Sequence, residues 1–93
     1  MNLKVEWNKT KAKLNYAKHG VSFDLAKEVF DDPFAVEFLD DRQDYGEQRF
    51  TIIGVVEGRF LSVTYTERKD AIRIISARTA TKNEREAYLQ ENS

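Results

Sequence analysis

Up to Pro33 the hydrophobic residues of this chain fall mostly at helical spacing; beyond it they alternate with polar ones. Only Leu3-Lys4-Val5-Glu6-Trp7, at the start, alternates earlier, and it predicts a short strand. Asn8 can then cap a helix of about ten residues that carries Leu14, Ala17 and Val21 on one face and lysines elsewhere. Gly20 is placed to stop it. Ser22 can cap a second helix with Phe23, Ala26, Val29 and Phe30 on one side. Asp31-Asp32-Pro33 ends that helix, because proline removes a donor and clashes with the preceding turn.

After Pro33 the pattern predicts strands at 34–39, 49–56, 59–66 and 71–78. A polar loop from Asp40 to Gly46 joins the first two. Glu57-Gly58 reads as a two-residue hairpin turn, and Glu67 to Asp70 as the next turn. Thr81-Lys82-Asn83-Glu84 matches a capping box and opens a helix running to about Gln90. Strands joined by short turns pair antiparallel, since a parallel return needs a long crossover. The expected fold class is therefore α+β, one antiparallel sheet with two N-terminal helices on one face and a C-terminal helix.

The 93 residues suffice for one domain over 1–93, and 41% hydrophobic content for one modest core. With no cysteine, disulfides and thiolate metal sites are excluded. A single histidine excludes a His-rich metal cluster. Asp40, Asp41 and Asp44 lack the spacing and closing glutamate of a calcium loop. No cofactor or metal is expected. No run suits a signal peptide or a membrane span, so the expected compartment is the cytoplasm, with no membrane partner.

Charge is unevenly spread behind the net value of −1. Residues 1–21 hold five Lys against one Glu, net +4, and residues 22–57 three basic against ten acidic, net −7. Residues 58–85 hold seven basic against three acidic, net +4 again. Arg68, Arg73, Arg78 and Arg85 crowd this last segment. Arginine keeps its charge and offers a planar fork of donors matched to phosphate oxygens. The plainer reading of each is a surface arginine paired with a nearby carboxylate.

Other chemistry-bearing residues are few. His19, in Lys18-His19-Gly20, suits proton transfer near neutrality, or merely caps the helix C-terminus. Glu47 precedes a strand that can aim it, or is an ordinary loop carboxylate. Tyr65 could stack on a base or sit half in the core, and Trp7 reads as a core anchor. No Gly-rich phosphate loop and no Ser/His/Asp or Cys/His set is present. Arginine, glutamate, histidine and tyrosine suffice for one reaction: RNA supplies its own nucleophile, the 2′-hydroxyl, and needs only proton transfer and a stabilised phosphorane. DNA lacks that hydroxyl and generally calls for metal-activated water.

Trp7-Asn8, Lys11, Asn15, Lys18-His19-Gly20-Val21-Ser22-Phe23, Ala26, Val29-Phe30, Asp32-Pro33, Gly46-Glu47, Arg49, Ile53-Gly54, Tyr65 to Arg68 and Ile72 to Arg78 together resemble the BrnT family of bacterial toxins. The resemblance runs from about Val5 to Tyr88. It implies a RelE-like fold and a metal-independent endoribonuclease of a type II toxin–antitoxin module that stops translation. It also implies a BrnA-type ribbon-helix-helix antitoxin as partner, with operator DNA reached only through that antitoxin. Carried over by motif, the catalytic candidates are His19, Glu47, Arg49, Arg68, Arg73 and Arg78; Lys18, Tyr65 and Arg85 are candidate RNA contacts. Which is base and which is acid does not follow. Two other readings stand beside it: a non-catalytic protein- or DNA-binding module of the same fold, and a structural partner in a larger complex.

Overall fold

The computed structural model of the chain describes residues 3–42 and 44–93; Gln43, in the expected polar loop, lies outside them. The elements are β1 (Lys4–Glu6), α1 (Lys9–His19), α2 (Phe23–Ala26) continued by a 3-10 turn (Lys27–Asp31), β2 (Val36–Asp40), β3 (Arg49–Val56), β4 (Arg59–Arg68), β5 (Ala71–Thr79) and α3 (Lys82–Glu91). They build a mixed α+β fold on a five-stranded sheet of order β1-β5-β4-β3-β2. The four strands after Pro33 pair antiparallel, as the alternation predicts. β1 adds an edge that the expected four-stranded sheet lacks: it runs parallel to β5, with Val5 opposite Ile72. Two helices separate β1 from β2 in sequence, so nothing local announces that pairing.

The turns follow their sequence signals. Glu57 and Gly58 both hold positive φ, 50° and 78°, which suits the right-handed twist of the hairpin. β4 runs on to Arg68, so the following turn narrows to Lys69-Asp70, with Lys69 at φ 53°. The helix caps form as read: Asn8 accepts from the Lys11 amide, Ser22 from Leu25, and Thr81 with Glu84 completes a capping box.

One sheet face carries the main core. Ile52, Val56, Leu61, Val63, Tyr65, Ile74 and Ala77 pack there against Val21, Phe23, Ala26 and Val29. Gly54 lets the 3-10 turn approach closely: a Cβ there would stand 3.0 Å from Val29 Cγ1. The second helix thus buries the side expected of it. The first does not. Leu14 is 66% exposed and Ala17 also faces solvent, while the one buried residue of α1 is Asn15. The reason is what α1 meets. β1 covers β5 only as far as Arg73, and α1 lies against the bare edge beyond. An open strand edge presents N–H and C=O groups, so it requires a polar partner rather than leucine.

α3 covers part of the opposite face. Tyr88 packs edge-on against Phe60 and donates a hydrogen bond to Asp32 Oδ2 at 2.9 Å. The same carboxylate accepts from the amides of Val55 (2.8 Å) and Phe34 (2.9 Å). Burial alone would push Asp32 upward; these donors outweigh it and hold its pKa below the ordinary range. Asp32 so ties the 3-10 turn, β3 and α3 together. No helix of the described residues is long and apolar enough to cross a membrane.

Candidate functional site

The second face, which α3 covers in part, is sorted by register into three cross-strand rows. Asp40, Arg49, Thr66, Arg73 and Glu6 form the first. Phe38, Thr51, Thr64 and Ser76 form the next, and Val36, Ile53, Ser62 and Arg78 the third. Arginines thus flank a row rich in hydroxyls.

Strict alternation would place Arg73 and Arg78, five apart, on opposite faces. A β-bulge prevents this. Thr64 pairs with Ser76 and Tyr65 with Ile74, which leaves Ile75 without a partner and resets the alternation. Arg73 therefore lies opposite Thr66 and Arg78 opposite Ser62, on one face. Arg68, two residues beyond Thr66, shares it.

Each arginine holds a carboxylate. Arg49 Nε donates to Glu47 Oε2 at 3.2 Å, its guanidinium lying 4.1 Å from the centre of the Tyr45 ring. Arg68 approaches the other oxygen of Glu47 at 4.0 Å. Arg73 Nη1 donates to Glu6 Oε2 at 2.9 Å. Arg78 grips Glu84 with two bonds, 2.7 and 3.0 Å. Glu84 also accepts from Ser62 Oγ and from the Thr81 amide. Burial would raise the pKa of Glu84, but the Arg78 hydrogen bonds, then that of Thr81, overcome it and leave the group below the usual range. The arginines differ in what they have spare. Arg73 commits one Nη to Glu6, whereas Arg78 commits both to Glu84. A guanidinium carries five N–H donors, so Arg73 retains more for an incoming anion.

His19 ends α1, where Lys18 and His19 complement the helix dipole. Both line a shallow recess of about 230 Å³ with Lys11, Ile75 and Ser76. Ser76 stands between Arg73 and Arg78 on the open face, so the recess extends the cationic surface past the edge of β5. Glu47 sits beside β3, two strand spacings across from Ser76 and four residues further along the strands, on the order of 17 Å from it and farther from His19. One phosphodiester therefore reaches only one of the two.

Two candidate RNA contacts fall elsewhere. Tyr65 is 4% exposed, stacked on Phe50 and edge-on to Phe30 in the main core, which removes it from any surface that RNA can reach. Tyr65 alternates with Thr64 and Thr66 along β4, and the pairing of β4 assigns it to the helix-covered side. Arg85 is exposed on α3, its guanidinium 5.8 Å from the Phe60 ring, at the hairpin end of the sheet and apart from Arg49 and Arg68.

Several partners were not legible in the chain. Glu6 meets Arg73 across 67 positions, and nothing local signals that contact. Glu84 carries a signal only for its capping role, not for Arg78. In the polar loop, Arg42 holds the buried Asp40 by two bonds of 2.8 and 2.9 Å. These bonds keep Asp40 low, against its burial.

Four arginines on one rigid sheet face, hydroxyls between them, and a histidine and a glutamate at opposite margins can bind and polarise a phosphodiester. Comparison with known proteins bears on what such a face is for. A search of curated proteins gives no match. The family described as ribonuclease toxin, BrnT, of type II toxin–antitoxin systems matches residues 7–84. That span takes in every arginine of the face together with His19 and Glu47, and the chain belongs to the BrnT family.

Proposed function

We propose that this chain is a metal-independent endoribonuclease that stops translation by cutting RNA on the arginine face. The observation that carries this is the bulge at Ile75, which turns Arg73 and Arg78 to the side that holds Arg49 and Arg68. An unbroken strand would split the cluster between the core and solvent.

In this reading the phosphodiester lies across β4 and β5. The 2′-oxygen loses its proton to one of His19 or Glu47 and attacks the adjacent phosphorus. The bond to the 5′-oxygen breaks, and that oxygen takes a proton from solvent water, the other group standing too far from the same phosphorus. A 2′,3′-cyclic phosphate and a free 5′-hydroxyl remain. Arg73, with Arg49 and Arg68, stabilises the crowded phosphorane. Lys18 steers the RNA from the β5 side. The sheet, with the second helix on one face, α1 along the β5 edge and α3 on the other face, supports a RelE-like arrangement. A BrnA-type antitoxin would neutralise the chain, operator DNA being bound through that antitoxin alone.

A non-catalytic docking module is favoured by one observation, the carboxylate held by each arginine. Cleavage of single-stranded RNA by the purified chain decides between the two. The expected result is cutting in excess EDTA, with cyclic phosphate ends, blocked by a 2′-deoxy sugar at the cut. A strict Mg²⁺ requirement, or cutting at the deoxy position, would overturn the mechanism.

A further inference from the structure

Beside the arginine rows, between β2 and α3, lies a groove of about 340 Å³. Its floor is Thr51 and Ile53, Phe38 and Leu39 form one wall, and Asn83 lies on the α3 side. Arg78 lines it too, so the groove opens from the cationic face itself. Phe38 stands in the same row as Thr51, Thr64 and Ser76 and is 42% exposed, although large aromatics on a strand are ordinarily covered.

We propose that this groove is a nucleobase subsite, taking one unpaired base of the RNA, with Phe38 as its stacking platform and Asn83 reading the base edge. The proposal rests on the ribonuclease reading and adds to it where sequence preference arises. Charge fixes the direction in which a nucleotide enters. The β5 end offers arginine, which suits the phosphate. The β2 end offers Phe38 and Leu39 beside Asp41 and an Asp40 already neutralised by Arg42, which suits a neutral ring better than a phosphate. From β5 to β2 are three strand spacings, roughly 14 Å. An arginine and a phenylalanine reaching in from those strands leave between them about the length of one nucleotide. An aromatic face accepts any base, whereas a side-chain amide both donates and accepts and so discriminates. Bases within a duplex cannot stack on protein, so the subsite selects single strands.

The test uses the full chain and its Phe38→Ala, Phe38→Trp and Asn83→Ala variants. Both positions are exposed, and unchanged thermal melting would show that the fold is intact. With a single-stranded oligoribonucleotide, Phe38→Ala should raise KM about ten- to a hundredfold with kcat nearly kept, the size of a lost base stack. Phe38→Trp should restore it. On a long RNA, Asn83→Ala should flatten the base preference at one position relative to the cut. Unchanged KM and an unchanged cleavage pattern in Phe38→Ala would overturn the proposal, as would loss of antitoxin binding alone, which would make the groove a protein seat. Binding of a 2′-O-methyl oligonucleotide, which lacks the nucleophile, separates the two readings. Phe38-dependent binding by a chain that never cuts RNA would sink the nuclease and uphold the subsite. Absence of both binding and cutting would sink both.

Discussion

Asn15 and Ala77, 62 positions apart, exchange two hydrogen bonds: Asn15 Nδ2 donates to the Ala77 carbonyl at 2.8 Å, and the Ala77 amide donates to Asn15 Oδ1 at 3.0 Å. The side-chain amide stands where another strand would, closing the β5 edge that β1 leaves bare. Its second N–H reaches the Val21 carbonyl at 3.0 Å, fixing the start of the next helix. Asn15→Leu would leave three buried backbone groups unpaired. The expected loss is about 2–4 kcal/mol, since each orphaned group costs on the order of 1–3 kcal/mol and some find water. Urea denaturation measures it; a change under about 0.5 kcal/mol would show that α1 docks by other contacts.

The same relationship shows where sequence reasoning works and where it stops. The strands from 49 to 79 were legible because alternation and turn residues such as Glu57-Gly58 act over a few positions. The capping box at Thr81 was legible for the same reason. Leu14 and Ala17 misled because a helix docking on a strand edge needs one amide, not an apolar stripe. The bulge at Ile75 is foreseeable only as one of two requirements, since two arginines five apart can share a site only if the strand is irregular or the second lies past its end. Its location depends on how β4 pairs with β5, which no local window contains. The parallel placement of β1 and the Glu6–Arg73 contact are equally non-local.

Glu6 and Arg73 furnish a prediction in which removing a charge helps binding. Glu6→Gln should raise affinity for single-stranded RNA several-fold by freeing a guanidinium that already has donors to spare. Arg73→Ala should weaken binding and reduce the slope of log K against log salt by about one. Both substitutions should leave thermal stability within about 1 kcal/mol, because the pair is partly exposed. Titration at several salt concentrations reads both effects. Equal slopes in wild type and Arg73→Ala would mean that Arg73 contacts no phosphate.

The carboxylates make stability depend on pH in a defined direction. Asp32, Asp40 and Glu84 are all held below their ordinary values in the folded chain. A lowered folded pKa gives stability that is present above the unfolded value, near pH 4, and is lost as pH falls through the folded value. Glu37 works the other way: burial first, then the Glu67 charge, raise it, so it costs stability at neutral pH. Melting temperature should therefore fall steeply below about pH 4. Tyr88→Phe, which removes one donor to Asp32, should cost about 1 kcal/mol at pH 7 and make that acid limb shallower. Tyr88 itself is raised by burial and by Asp32, so wild type should also lose stability above about pH 10, and Tyr88→Phe should lose less there. A stability profile flat from pH 3 to 7 would contradict the assignment.

Neutralisation by an antitoxin should act on the same face that RNA uses. Residues 1–21 and 58–85 are each net +4, and the structure brings Lys18 and His19 from the first beside Ser76 of the second. An antitoxin segment laid across that junction would exclude RNA by volume and by charge together. The two ligands should then answer salt differently. RNA affinity rests on a few phosphate contacts and should drop by orders of magnitude between 50 and 200 mM salt if several phosphates are engaged. Antitoxin affinity should drop less, because buried apolar anchors dominate protein interfaces and are not screened. Exposed Leu14 on α1 lines the basic recess and lies ready to supply such an anchor. Competition between labelled RNA and antitoxin over a salt series measures both terms. If a ternary complex forms, or if hydrogen exchange on antitoxin binding leaves β5 and α1 unprotected, neutralisation does not proceed by covering the arginine face.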